Sequence, residues 1–199
     1  LREDSSWAVV VTYSDDGYVS DEEAAKIDYD AMLKQMQEAT RDENAERKKL
    51  GYGTVELVGW AQKPRYDAGT NKLYWAKQLI FDGNAEHTLN YDIRVLGRGG
   101  YLSLNAIAGM AQLPAVETGM QKVLGMTEFD AGHRYADFNS STDKLAKYGL
   151  AALVAGAIAG KAGLFAKLGI VLLKAWKLVL VGLVAVGGLV SKLFKRKNA

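Results

Sequence analysis

The chain divides by pattern into short apolar runs closed by turn residues, one amphipathic stretch of helical period, and a final stretch that is apolar almost throughout. Trp7 to Tyr13 (WAVVVTY) is rich in β-branched and aromatic residues and stops at Ser14-Asp15-Asp16-Gly17, which predicts a strand entering a turn. From Ser20 an N-cap candidate and first-turn acids lead into helix formers that run to Leu50. Met32, Leu33 and Met36 supply the apolar face, and Gly51 and Gly53 end it. Four further runs read as strands: Thr54 to Trp60, Lys72 to Phe81, His87 to Leu96 and Tyr101 to Ile107. The separators AGTN, DGN and GRGG suit hairpins and a meander. Pro114 opens a short helix to about Leu124, and Glu128 to Phe138 is irregular or strand-like. The order predicts an α+β fold, an antiparallel meander sheet with helices over one face. By element order alone it is similar to the PsbP/Mog1-like sheets.

The final stretch changes the picture. Tyr148 to Val190 is nearly all Leu, Val, Ala, Gly and Ile, interrupted by Lys161, Lys167, Lys174 and Lys177, and it stops on Lys192, Lys195, Arg196 and Lys197. A basic cluster flanking an apolar span marks the cytoplasmic side of a membrane. Thr142-Asp143 is a cap candidate, and no proline follows, so one transmembrane helix over 142–199 is expected. Such a helix would be roughly 80 Å long at about 1.5 Å per residue, whereas a bilayer core needs only about 20 residues. Part of it must then lie along the membrane, leave it or fold back. Lys167, Lys174, Lys177, Lys192 and Lys195 fall within about 80° of one another at about 100° per residue. Snorkelling and juxtamembrane placement would explain that lysine face. So would a protein interior, a lumen or lipid phosphates, since a charge at membrane depth costs about 2.5–3.5 kcal/mol on insertion scales. Gly156, Gly160 and Gly163 would permit close helix contact, which favours a homo-oligomer. Two regions follow: a head over 1–141 and a membrane region over 142–199.

The net charge of +2 hides opposed halves, with 17 basic against 23 acidic residues up to Lys147 and eight basic against none beyond it. An acidic head argues against nucleic acid as a partner. Cysteine is absent, which excludes disulfides, thiolate nucleophiles and cysteine zinc sites. A basic cytoplasmic end on a single span puts the head outside the cytoplasm, with an export signal expected upstream of Leu1.

Chemistry is thinly marked. Thr12 to Glu23 places Asp16, Gly17 and Glu23 at EF-hand-like spacing, but Thr12 occupies the first ligand position and a turn with a helix cap explains the run. His87 and His133 share no metal-ligand spacing. Gly97-Arg98-Gly99-Gly100 precedes a strand, unlike a phosphate loop. Ser103, Ser140 and Ser141 lack a nucleophile elbow. Arg94, Arg98 and Arg134 are candidates to pair with Asp92 and Asp137. Trp60, Pro64, Tyr66, Asp67, Tyr74 and Trp75 cluster around one hairpin, as core packing or as a candidate binding surface for glycans, peptides or proline-rich segments. No catalytic residue, cofactor or metal ligand is indicated.

Several stretches together resemble the DUF2167 family of uncharacterised, membrane-anchored bacterial proteins. They are Gly17-Tyr18-Val19 with Asp21, GWAQKPRYD with TNKLYWA, NYDIRVLGRGGYLSLN, and GHRYADF with TDKLAKYG leading into the tail. The resemblance implies a Gram-negative envelope protein whose relatives carry a signal peptide and a further N-terminal region, and it transfers no catalytic residue. The expectation is an inner-membrane protein with a periplasmic head and a cytoplasmic C-terminus. It would act as a self-associating scaffold or interaction module, contacting the lipid bilayer and an envelope protein partner. The alternatives are a lipid-binding or pore-like ring using the lysine face, and an enzyme whose site lies in the missing N-terminal region or at a subunit interface.

Overall fold

The computed structural model describes residues 7–156. Five strands, β1 (Ala8–Ser14), β2 (Val55–Asp67), β3 (Lys72–Phe81), β4 (Thr88–Leu96) and β5 (Tyr101–Gly109), form one antiparallel sheet in the order β1-β5-β4-β3-β2. Strands β2 to β5 are the expected meander, and β1 closes the far side by pairing with β5, Val10 opposite Asn105. Helix α1 (Tyr29–Lys49) links the two outer strands, α2 (Leu113–Leu124) follows β5, and a short α3 (Leu150–Ala155) comes last.

Helix α1 starts later than the Ser20 signal suggests. Asp28 caps it, its carboxylate accepting from the N–H groups of Asp30 (3.0 Å) and Ala31 (2.9 Å). Asp21 and Glu23 serve other contacts, with Tyr66 and with Ala151 N–H, and Ala24–Lys26 forms a single 3-10 turn. Further along, α1 faces the outer side of β2. Asn44 both donates to Val55 O (2.7 Å) and accepts from Val55 N–H (2.9 Å), while Gln37 donates to Val58 O (3.0 Å). One sheet edge is thereby hydrogen-bonded by side chains.

Helices and loops cover both faces of the sheet, not one. On the first face Val116, Met120 and Leu124, spaced four apart on α2, pack against Tyr91, Ile93, Leu104 and Ala106. Burying side chains of this size contributes about 1.5–3 kcal/mol each. The second face carries Leu73, Trp75 and Leu96, covered by Val19, Tyr135, Leu150, Leu153 and Val154.

That second cover is a clasp between the start and the end of the head. Tyr18 N–H donates to Lys144 O and Ala146 N–H to Tyr18 O, both at 2.8 Å, a parallel bridge with Leu145. The Tyr18 ring stacks on Tyr135 (4.4 Å) and on Phe138 (3.8 Å). Tyr148 donates to Asp16, and Glu23 accepts from Ala151 N–H at the start of α3. Gly17 has φ +101°, and a Cβ there would stand 2.6 Å from Lys144 O, so only glycine fits without a shift.

The clasp overturns the reading of Thr142-Asp143 as the cap of a long helix. Asp143 is instead held by Arg98, whose Nε and Nη2 donate to it at 2.7 and 2.9 Å. Residues 144–149 run non-helically alongside Tyr18, α3 has six residues, and Gly156 ends it at φ +65°. Residues 142–156 thus belong to the same compact unit as the sheet. Among the described residues no helix is long and apolar enough to cross a membrane. Gly160, Gly163 and the lysine face at 167, 174, 177, 192 and 195 lie outside the described residues.

Candidate functional site

Period-two alternation makes the first face apolar along β4 and β5 and sets polar residues among the apolar ones of the second face. The rungs of the second face read Lys77–Asn90–Ile107, Trp75–Asp92–Asn105–Val10 and Leu73–Arg94–Ser103–Thr12. Asp92, 4% exposed, is the buried charged residue among those described. Its Oδ1 accepts from Arg94 Nη1 (3.1 Å) and from Asn105 Nδ2 (3.0 Å). A buried carboxylate without such donors would be costly.

Arg94 is fixed on several sides. Nη1 also donates to Ile93 O (3.2 Å), and the guanidinium lies over Trp75 at 4.7 Å and near Tyr101 at 5.9 Å. Such cation–π contacts contribute about 0.5–2 kcal/mol according to how dry they are. Half-buried Lys77 sits one rung away. Desolvation lowers its pKa, Asp92 opposes that shift and Arg94 adds to it. The cluster carries two cations and one anion around an aromatic base.

The hairpin residues singled out from the sequence separate here. Tyr74 and Trp75 are neighbours in β3 and point to opposite faces, Tyr74 into the first core and Trp75 into the second. Pro64, Tyr74 and Trp75 are buried, and Trp60 and Tyr66 pack against the second core. Trp60 Nε1 donates to Tyr29 O (3.2 Å) and Tyr66 Oη to Asp21 (2.8 Å), with burial raising the Tyr66 pKa. Asp67 shapes the hairpin turn by accepting from Gly69 N–H and Thr70 Oγ1. At the same end, Thr70, Lys72, Glu128, Phe129 and Arg134 line an open cleft of about 420 Å³.

The remaining candidates are engaged structurally. Asp16 accepts from Ser14 (2.6 Å) and Tyr148 in the clasp, away from any calcium loop. His87 lies against Gln78. Arg94 pairs with Asp92 as expected, but Arg98 takes Asp143, and Asp137 accepts from the backbone N–H of Gly132 and Arg134. No group of three metal-ligating side chains occurs among the described residues. Lys77 escaped the sequence reading, although the alternation in Asn90-Tyr91-Asp92-Ile93-Arg94-Val95 marks a polar face beside it.

The stretches behind the family resemblance meet in space: Gly17-Tyr18-Val19 lies against Leu145 and Tyr135, and Arg98 against Asp143. A family model described as Protein of unknown function (DUF2167) matches residues 1–187. The chain belongs to the DUF2167 family. In this DUF2167 member the clasp joins the two ends of the head, and the charged cluster sits on the same sheet face. No curated protein and no solved structure matches the chain, so the PsbP/Mog1-like analogy gains no support.

Proposed function

We propose that this protein is a membrane-tethered envelope module that self-associates, and that copies meet along the free edge of β1. The observation that carries the reading is the contrast between the two edges of the sheet. Strand β2 is blunted by Lys63, by Pro64, by three register irregularities and by the side chains of α1. Proteins blunt edges in this way to prevent strand addition. Strand β1 (AVVVTYS) carries no charge and no proline, and nothing among the described residues hydrogen-bonds its outer side. Val10, Val11 and Tyr13 are 60%, 48% and 54% exposed.

A second copy suits this edge because the strand is self-complementary. Two uncharged β1 strands pairing antiparallel about a two-fold axis meet no repulsion and continue both sheets. The apolar, lysine-interrupted sequence that follows the head, 157–190, supports tethering, and it would concentrate copies in one plane.

The test is the mass of the full chain in mild detergent, by light scattering coupled to size exclusion with the detergent subtracted. A discrete assembly that Val11→Lys converts to monomer, and that Met126→Lys at another exposed apolar position leaves intact, is expected. A monomeric wild type, or an assembly indifferent to Val11→Lys, overturns the proposal.

A further inference from the structure

We propose that the Lys77–Asp92–Arg94 cluster is a binding site for a small carboxylate that also carries hydroxyl or amine donors. Arg94 is held from one side of its guanidinium. Among the described residues only Nη1 is engaged, by Asp92 and by Ile93 O, while the guanidinium lies over Trp75. Its Nε and Nη2 make no hydrogen bond among the described residues. That edge of a guanidinium is the fork that matches a carboxylate with two parallel bonds.

Arg98 in the same chain shows the satisfied arrangement, since its Nε and Nη2 both donate to Asp143. Arg94 offers the same edge, with Nη1 held in place by Asp92. Lys77 adds a second donor that has no partner among the described residues. Its ammonium feels both Asp92 and Arg94 but makes no hydrogen bond or ion pair among the described residues. Two cations against one carboxylate leave the cluster with one uncompensated positive charge in a partly desolvated place, where an anion is worth more than in water. On the ligand's other side, Asp92 Oδ2 has no donor among the described residues, and Asn90 and Ser103 share the face. An acceptor beside a cationic fork selects a carboxylate with neighbouring donors over a bare anion. Both an amino acid and a sugar acid have that chemistry.

The experiment is calorimetric titration of the full chain in mild detergent with glutamate, with glucuronate and with glucose as the neutral control. Binding of glutamate alone identifies an amino-acid or peptide carboxylate, and binding of glucuronate but not glucose identifies a sugar acid. Either supports the site. Lys77→Met and Arg94→Lys are each expected to weaken binding about tenfold, the latter because lysine keeps the charge and loses the fork. Lys72→Met, in the cleft at the hairpin end, should change nothing. Affinity should also fall as pH rises through the lowered pKa of Lys77. Circular dichroism checks folding, and Lys77→Met, at a half-buried position, stands in if Arg94→Lys fails to fold. No binding of either acid at millimolar concentration, equal binding of glucose and glucuronate, or a folded Lys77→Met with unchanged affinity overturns the proposal.

Discussion

Removing the Asp92 carboxylate should reveal how tightly the polar face is coupled. Asp92→Ala deletes one hydrogen bond from a guanidinium, worth about 1.5–3 kcal/mol, and one from an amide, worth about 0.5–1.5 kcal/mol. It also leaves Arg94, whose side chain is 15% exposed, without its counter-ion. Stacking on Trp75 retains part of the arginine's stabilisation, so a loss of about 3 kcal/mol is expected, at the lower end of broken buried pairs. At this chain length 1 kcal/mol moves the melting temperature by roughly 2–4 °C, which makes the expected drop about 6–12 °C. Arg94→Met alone should cost less, because it leaves Asp92 bonded to Asn105. The double variant should be less destabilised than the sum by at least about 1 kcal/mol, since neither charge is then left alone. Thermal unfolding followed by near-ultraviolet circular dichroism, to which buried Trp75 contributes, measures all three. Additivity within about 0.5 kcal/mol, the margin expected of independent sites, would refute the reasoning.

Gly17→Ala should loosen the clasp. It places an L-residue at φ +101° and a methyl group against Lys144 O, so proteolysis within residues 144–156 should outpace that of the wild type, while cleavage in β3 and β4 stays slow. Acid should act on the same region. The Arg98 hydrogen bonds, with help from Asn139 N–H, hold the Asp143 carboxyl well below its ordinary value of 3.8. A depressed folded-state pKa contributes stability above that ordinary value and loses it as pH falls through the folded one. Stability should therefore decline below about pH 3.8, and Asp143→Asn should flatten that decline in a pH series of thermal melts.

The strands were legible because their apolar runs end in turn residues with local jobs, as Asp67 shows at the β2–β3 hairpin. The pairing of β1 with β5 was not, because nothing local to WAVVVTY names a partner so distant in sequence. Thr142-Asp143 misled for a similar reason. A Thr-Asp pair suits a helix cap equally well, and only the arrival of Arg98 turns the aspartate into an ion-pair partner. Within the charged cluster, Arg94 and Asp92 could be paired from spacing alone, being two apart on one strand. Lys77 joins them only through the β3–β4 register, which lays Asn90 opposite Lys77 and Asp92 opposite Trp75.

The joining of Asp16 and Tyr148, 132 positions apart, has a consequence for synthesis. As the chain leaves the ribosome, β2 to β5 can zip up hairpin by hairpin, but β1 must wait for β5 and the clasp must wait longer still. During that interval the uncharged first strand has no native neighbour, and unpaired strands of this kind aggregate readily. Closure of the head cannot be completed before Tyr148 and the buried residues of α3 behind it have been made. A nascent chain stalled shortly before Tyr148 would carry a finished meander and an open front.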